Sequence, residues 1–265
     1  MSGIFDYGAT QEIRSKDLRL TNGSRLIPRP PSIFDHFTGI AAFNSAVPQE
    51  WVVTETGSAT PFAVTSGGVG GHAIGVTGAT TNNAEEIAGK NVCWIPSTMA
   101  GNQKLILEVR AKFVGATAAV DGDYVIGFAD AVTFTSGLPF VVGTSSLYTT
   151  ESPVEFAGFH YSSIPTSGTL YAASANYVGI KTNKNSVGAV AVSSGVVKTS
   201  SFKIYRIEMD ASANAQFYID DVHVGSVAVA TTAATALTPY IGAVAKASHT
   251  NTATIDYIFV GGDLV

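Results

Sequence analysis

Residues 104–115 read KLILEVRAKFVG, and their strict alternation constrains the fold more than any other feature of the chain. Leu105, Leu107, Val109, Ala111 and Phe113 fall on one side, and Lys104, Ile106, Glu108, Arg110 and Lys112 on the other. A period of two is the mark of a β-strand with one buried face. Further strand signals recur at WVVTET (51–56), FAVTSGGVGGHAIGVTG (62–78, strand, Gly-rich turn, strand), VEFAGFHYSS (154–163) and LYAASANYVGI (170–180). SFKIYRIEMD (201–210), AQFYIDDVHV (215–224), TPYIGAVAKA (238–247) and TATIDYIFVGG (252–262) extend the series. DYVIGFADA (123–131) is apolar nearly throughout, which predicts a central strand. ATTAATA (230–236) has no helix caps and is rich in threonine, so it reads as a loop. Ten or more strands without a helix predict an all-β chain, an antiparallel two-sheet sandwich or a barrel. No internal repeat of fixed period is visible, which argues against a propeller or solenoid.

Composition agrees. Of the 265 residues, 46% are hydrophobic and 13% charged, with 27 glycines; so apolar a chain can bury enough surface to fold. The net charge of -5 argues against a nucleic-acid partner. No apolar run approaches the length needed to span a bilayer, so a soluble protein with no membrane partner is expected. The N-terminus, MSGIFDYGATQEIRSKD, has neither an apolar h-region nor a cleavage-site pattern, so no secretory signal is expected.

Residues 1–33 differ from the rest. Pro28, Pro30 and Pro31 in IPRPPS deny the backbone ladder hydrogen bonds, so 1–33 reads as an extended N-terminal arm with one short strand near Asp17–Leu20. Residues 34–265 then form the sandwich domain. Within residues 1–30, Arg14, Lys16, Arg19, Arg25 and Arg29 outweigh Asp6, Glu12 and Asp17 for a balance of +2, leaving -7 to the other 235 residues. The five basic residues are candidate partner contacts on an acidic surface, against the plainer reading of a solvated arm.

Other chemistry does not assemble. Cys93, the single cysteine, has no intrachain disulfide partner and, flanked by NVCWIP, reads as a small buried hydrophobe. His36, His72, His160, His223 and His249 are scattered without metal-ligand spacing and read as turn or surface residues. SGGVGGHAIG (66–75) lacks the Lys-Ser/Thr and helix of a phosphate loop and reads as a hairpin turn. Asp121 and Asp123 in DGD are too few carboxylates for a calcium site and read as a tight turn. No cofactor is implied.

FKIYRIEMDASANAQFYIDDVHVG (202–225) is similar to the paired late strands of concanavalin A-like jelly rolls, the fold of family 16 glucanases and laminin-G-like modules. LEVRAKF (107–113), the closing ATIDYIFVGG (253–262) and the opening FDHFTG (34–39) agree with that family in order and spacing. The resemblance implies a two-sheet antiparallel β-sandwich spanning roughly 34–262. Asp220 and Asp221 stand where the family carries Asp-Gly, so aspartates must take left-handed backbone conformations there.

The glucanases carry Glu-x-Asp-x-x-Glu on the strand after LEVRAKF, because retention needs two carboxyls about 5 Å apart. Here that strand is DGDYVIGFADA, without a glutamate. Glu151 and Glu155 are four residues apart in ESPVEF, too far on a strand to share one bond, and Glu85 and Glu86 would face opposite ways if extended. The chain is therefore expected not to be an enzyme.

A jelly roll without its acid pair, a basic arm and a composition rich in small uncharged residues together resemble structural proteins of bacteriophage virions. The expectation is a capsid decoration or cement protein, made in the host cytoplasm and resident on the capsid surface. Its partners are then the major capsid protein or other virion proteins, with a homotrimer at local three-fold positions. The alternative is a carbohydrate-binding module or tail-associated adhesin for host glycans, with Trp51, Trp94, Tyr148, Tyr161, Tyr171 and Tyr177 as candidate stacking platforms. A third reading is a glycosidase with an unrecognised acid pair.

Overall fold

A computed structural model of the chain describes residues 51–65, 71–80, 83–99, 101–115, 123–134, 155–161, 177–184, 187–245 and 250–262, together with Phe37 and the short strands at 20–21, 25–26, 32–35, 140–142 and 148–150. The strands run β1 (Leu20–Thr21), β2 (Arg25–Leu26), β3 (Ser32–Asp35), β4 (Trp51–Thr56), β5 (Thr60–Thr65), β6 (His72–Val76) and β7 (Ala84–Gly89). They continue with β8 (Leu105–Gly115), β9 (Asp123–Ala129), β10 (Phe140–Val142), β11 (Tyr148–Thr150), β12 (Phe156–Tyr161) and β13 (Tyr177–Lys184). The last are β14 (Val187–Val197), β15 (Lys203–Met209), β16 (Ala215–Ile219), β17 (Val222–Val227), β18 (Thr238–Val244) and β19 (Asn251–Gly262). One 3-10 turn, Pro96–Thr98, is the sole helical element among the described residues.

Two antiparallel sheets make the sandwich. One has seven strands in the order β14-β13-β12-β9-β18-β7-β4, and the other runs β17-β16-β15-β8-β19-β6-β5 with β3 added beside β19. The second behaves as its sequence predicts. Burial alternates without exception along β8, placing Leu105, Leu107, Val109, Ala111 and Phe113 in the inter-sheet core. Its outer face is charged: Arg206 reaches Asp221 at 2.6 Å, Glu208 at 3.3 Å and Glu108 at 3.6 Å, while Lys104 meets Glu208 at 2.7 Å. β19 pairs along all of β8 with a register shift at Asp256. The extra residue resets the alternation, so Ile255 and Ile258 both reach the core although three positions apart. Asp256 then meets Arg110 and His72 on the outer side, and the Tyr257 hydroxyl donates to Glu108 at 2.7 Å.

The seven-stranded sheet is different. All residues of β7, β9, β12 and β18 are buried. One face supplies Tyr124, Ile126, Phe159, Tyr161 and Ile180 to the inter-sheet core. There Phe113 stacks on Tyr124 with centroids 3.9 Å apart, Tyr124 and Tyr205 share a hydroxyl contact of 3.1 Å, and Lys198 lies 4.5 Å from the Tyr161 ring. The other face carries a second apolar cluster, described below. DYVIGFADA thus becomes a central strand, as its continuous apolarity predicts.

Local details qualify the sequence reading. β3 includes Ser32 and Ile33, which pair with Gly261 and Val260, so the sandwich takes in residues on the arm side of position 34. The Asp35 carboxylate then accepts from the Phe37 amide at 2.7 Å and the Trp51 indole at 2.9 Å, tying the opening FDHF to β4. Cys93 is exposed, against the expectation of a buried thiol. Trp94 bridges to Leu237 and is buried, which turns its neighbour outward. Strands β7 and β14 are absent from the sequence reading, whereas 230–236 is a loop, as expected.

The β16–β17 turn has φ of 50° at Asp220 and 64° at Asp221, the two left-handed residues of a type I′ hairpin. Asp220 is anchored by Lys203 at 2.6 Å and the Ile204 amide at 2.9 Å. Asp221 is 72% exposed and holds only Arg206, which keeps two other carboxylates. Replacing Asp221 by Gly is therefore expected to stabilise the fold by about 0.5 kcal/mol, and by Val to destabilise it by at least ~1 kcal/mol, as read from urea midpoints.

Candidate functional site

The outer face of the seven-stranded sheet is where a jelly-roll hydrolase would need its acids. Alternation places Asp123, Val125, Gly127 and Ala129 of β9 on that face, since Tyr124, Ile126 and Phe128 enter the inter-sheet core. The β9 register with β12 and β18 adds Phe156, Gly158 and His160 on one side and Thr238, Tyr240, Gly242 and Val244 on the other. β7 contributes Ala84, Glu86 and Ala88. An added Cβ at Gly158 would lie 2.5 Å from the Phe156 ring and 2.8 Å from the Cα of Gly127. Glycine is required at both positions because the paired strand's backbone stands within 3 Å of where a Cβ would be, the Ile126 carbonyl oxygen for Gly158 and the Ala157 carbonyl oxygen for Gly127, with the Phe156 ring across them.

Above this floor sits the second apolar cluster: Phe134, Phe156, Tyr240, Val125, Ala129 and Val244, with Ala84 and Ala88. Phe134 meets Tyr240 edge-on at 5.0 Å, and its amide donates to Glu86 Oε2 at 3.1 Å. The Tyr240 hydroxyl donates to the same oxygen at 2.9 Å. Residues 131–134 therefore strap over the sheet, and Glu86 is held by one donor from the strap and one from β18.

Asp123 and Glu86, the two carboxylates on this face of β9 and β7, do not converge. Asp123 pairs with Val244, which pairs with Ala84, so Glu86 stands two strands across and two residues along. The backbones there are roughly 12 Å apart, whereas the carboxyl groups of a retaining pair stand ~5–5.5 Å apart and those of an inverting pair ~6.5–9.5 Å. Glu86 also turns toward Tyr240, which pairs with Ala88 on the side away from Asp123. Glu85 faces the opposite way, as expected for adjacent strand residues. Its Oε2 lies 2.1 Å from where a Cβ on Gly75 would stand, so the carboxyl fills the space that this glycine leaves between the sheets. Glu155 accepts from the Thr232 amide at 2.8 Å and hydroxyl at 2.7 Å, while Glu151 lies outside the described residues.

The remaining candidates are dispersed. Arg14, Lys16, Arg19 and Arg29 lie outside the described residues, and Arg25 stands in β2 opposite Thr21. Asp121, His36, His249 and Tyr171 also lie outside them, and Tyr148 begins β11 opposite Val142. Asp123 starts a central strand and is fully buried, and among the described residues no three His, Cys, Asp or Glu side chains gather to hold a metal. Trp51, Trp94 and Tyr161 are core residues and Tyr177 is half-buried. His223 is exposed and His72 half-buried, but His160 is fully buried on the outer sheet face, against the surface expectation. It sits diagonal to Lys181, whose amine burial depresses from 10.5 to about 6. Sequence reasoning missed Lys181 and Phe134, because nothing local marks a strand as buried on both faces.

No protein-family model and no curated protein sequence matches this chain. Solved structures do match. The carbohydrate recognition domain of Emp47p is 11% identical with a TM-score of 0.53, covering 91% of this chain and 99% of its own. A family 16 endo-glucanase from Bacteroides ovatus is 11% identical with a TM-score of 0.55, covering 85% and 98%. A Shewanella oneidensis MR-1 protein of unknown function is 13% identical with a TM-score of 0.53, covering 99% and 96%. The chain has the concanavalin A-like jelly-roll fold shared by lectin domains and family 16 hydrolases.

Burial raises the Glu85 pKa well above 4.5, and the nearby Ala253 backbone offsets little of it. A carboxyl whose folded pKa is raised contributes full stability below its unfolded pKa and loses it as pH rises toward the folded value. Glu85→Gln is therefore expected to match the parent near pH 4 and exceed it at pH 7. The difference in unfolding free energy should grow by up to ~1.4 kcal/mol per pH unit from about pH 4.5 upward, measured by denaturant titration across pH.

Proposed function

We propose that this chain is a non-catalytic structural protein of a virus particle, a capsid decoration or cement protein that docks on the major capsid protein or a neighbouring virion protein through its N-terminal arm. The observation that carries the non-catalytic part is the strapped outer face of the seven-stranded sheet. Phe134, Phe156 and Tyr240 pack there, and Glu86 and Asp123 are too far apart to share a glycosidic bond. The docking part is supported by the basic, proline-punctuated arm, which leads into β3 beside β19. About 30 extended residues reach roughly 100 Å, enough to cross onto a neighbouring subunit.

Deleting residues 1–31, which spares β3, is expected to leave a folded β domain whose melting temperature shifts by only a few degrees. Affinity for the particle should fall at least tenfold in a co-sedimentation assay. Changing Arg14, Lys16, Arg19, Arg25 and Arg29 together to Ala should give the same loss. Undiminished co-sedimentation of the truncated chain would refute arm docking. Hydrolysis of a β-glucan that disappears with Asp123→Asn or Glu86→Gln would refute the non-catalytic reading.

A second reading is a glycan-binding module, and the observation that favours it is a fold shared with a carbohydrate recognition domain. Fold alone does not assign a ligand. Selective binding on a glycan array, lost on changing the half-buried Tyr177, would move the assignment to this class.

A further inference from the structure

Four large apolar side chains are exposed among the described residues: Val192 (43%), Val197 (47%), Val222 (62%) and Val229 (44%). All four fall on one lateral side of the sandwich. Val192 and Val197 belong to β14, the last strand of the seven-stranded sheet, and β14 touches β17, the last strand of the other. Val222 opens β17, and Val229 follows its end. Single exposed valines are ordinary; their collection on one pair of edges is not.

The position of Val192 explains why an apolar side chain is left there. It pairs with Ile180, so both lie on the inter-sheet side. Ile180 reaches across to β17, where its Cδ1 occupies the space beside Gly225 that a Cβ would need. Val196 and Val224 pack against the same core from the two edge strands. The inter-sheet layer therefore runs out to this side, where β14 and β17 approach each other and apolar side chains line their seam.

Neither edge carries the usual protection. The eleven residues of β14, VGAVAVSSGVV, include no charged residue and no proline, and β14 has no second strand partner among the described residues. β17, VHVGSV, has no charge beyond His223. The opposite side shows what protection looks like: β4 carries exposed Glu55 and β5 carries exposed Pro61. Register shifts do occur between β13 and β14, but they bracket a regular stretch in which Val190 to Ser193 pair with Thr182 to Gly179. They limit where a partner strand can seat without blocking it.

We infer that this side is a self-association interface, in which β14 of one copy pairs antiparallel with β14 of a second copy about a two-fold axis, with β17 and its flanking valines packing alongside. The occupant follows from charge and area. A charged segment laid on this edge would lose solvation without gaining a counter-charge, whereas β14 of a second copy is itself uncharged. A two-fold axis makes the contact self-complementary and closed. Eleven residues extend about 37 Å, and with the shorter β17 edge the contact covers roughly 600 Å² per copy, at the lower end of specific interfaces. The geometry points to a pair, where composition alone suggested a trimer. It does not depend on a role in a particle.

The full chain should sediment at twice its 27.4 kDa mass at ~10–100 μM. The double variant V192K/V197K puts a cation on each face of the β14 edge, Val192 on the inter-sheet side and Val197, opposite Tyr177, on the outer side, so both copies bring like charges to the contact and the dimer dissociation constant is expected to rise at least a hundredfold. Val222→Lys, at the most exposed of the four positions, should raise it at least tenfold, with far-UV circular dichroism and melting unchanged. Thr65→Lys on the opposite edge should leave it unaltered. A parent chain monomeric at 100 μM, a trimer, or a dimer indifferent to lysine at 192, 197 and 222 would each overturn the inference.

Discussion

The structure depends on burial of both faces of one antiparallel sheet. β7, β9, β12 and β18 have no residue in solvent, so every side chain on them must find apolar packing or a hydrogen-bond partner. On the inner side the aromatic group of Phe113, Tyr124, Tyr161 and Tyr205 meets this demand, with the Tyr205 phenol pushed up to about 12 by its burial. On the outer side the strap at 131–134 meets it, and Glu86 serves as the acceptor that fixes the strap in place. The carboxylate is thereby committed to structure.

The second sheet meets the opposite demand. One face packs in the core and the other meets water, so its charges can be numerous and their pairing loose. Arg206 shares itself among Glu108, Glu208 and Asp221, and Arg110 and His72 share Asp256. Such surface pairs contribute little each; their effect is to keep the sheet's outer face wetted and single-layered. The two sheets therefore divide the labour, one supplying most of the apolar layers and the other the solvated wall.

Much of this was legible in the chain. The alternation of KLILEVRAKFVG maps residue by residue onto the burial of β8, and Asp220 and Asp221 take the left-handed turn expected of them. The opposed directions of Glu85 and Glu86 followed from strand geometry alone. What was not legible has one cause. AEEIAG and VGAVAVSSGVV give no alternation, since the first is buried on both faces and the second is an uncharged edge. A carboxylate pair in AEEIAG looks solvent-bound until two sheets and a strap enclose it. Cys93 and His160 went wrong in the same way, because immediate neighbours do not reveal which side of a chain is covered.

By itself the sequence determined the strand class and the absence of a glucanase-type acid strand, because period-two patterning and residue identity are local properties; the choice of sandwich over barrel came from the family resemblance. Tertiary structure alone decided that the outer face of the seven-stranded sheet is filled, that Glu85 lies between the sheets, and that exposed valines gather at β14 and β17. Those outcomes depend on which segments meet across long sequence distances. Such meetings are set by the summed packing of both sheets and not by any one segment's pattern.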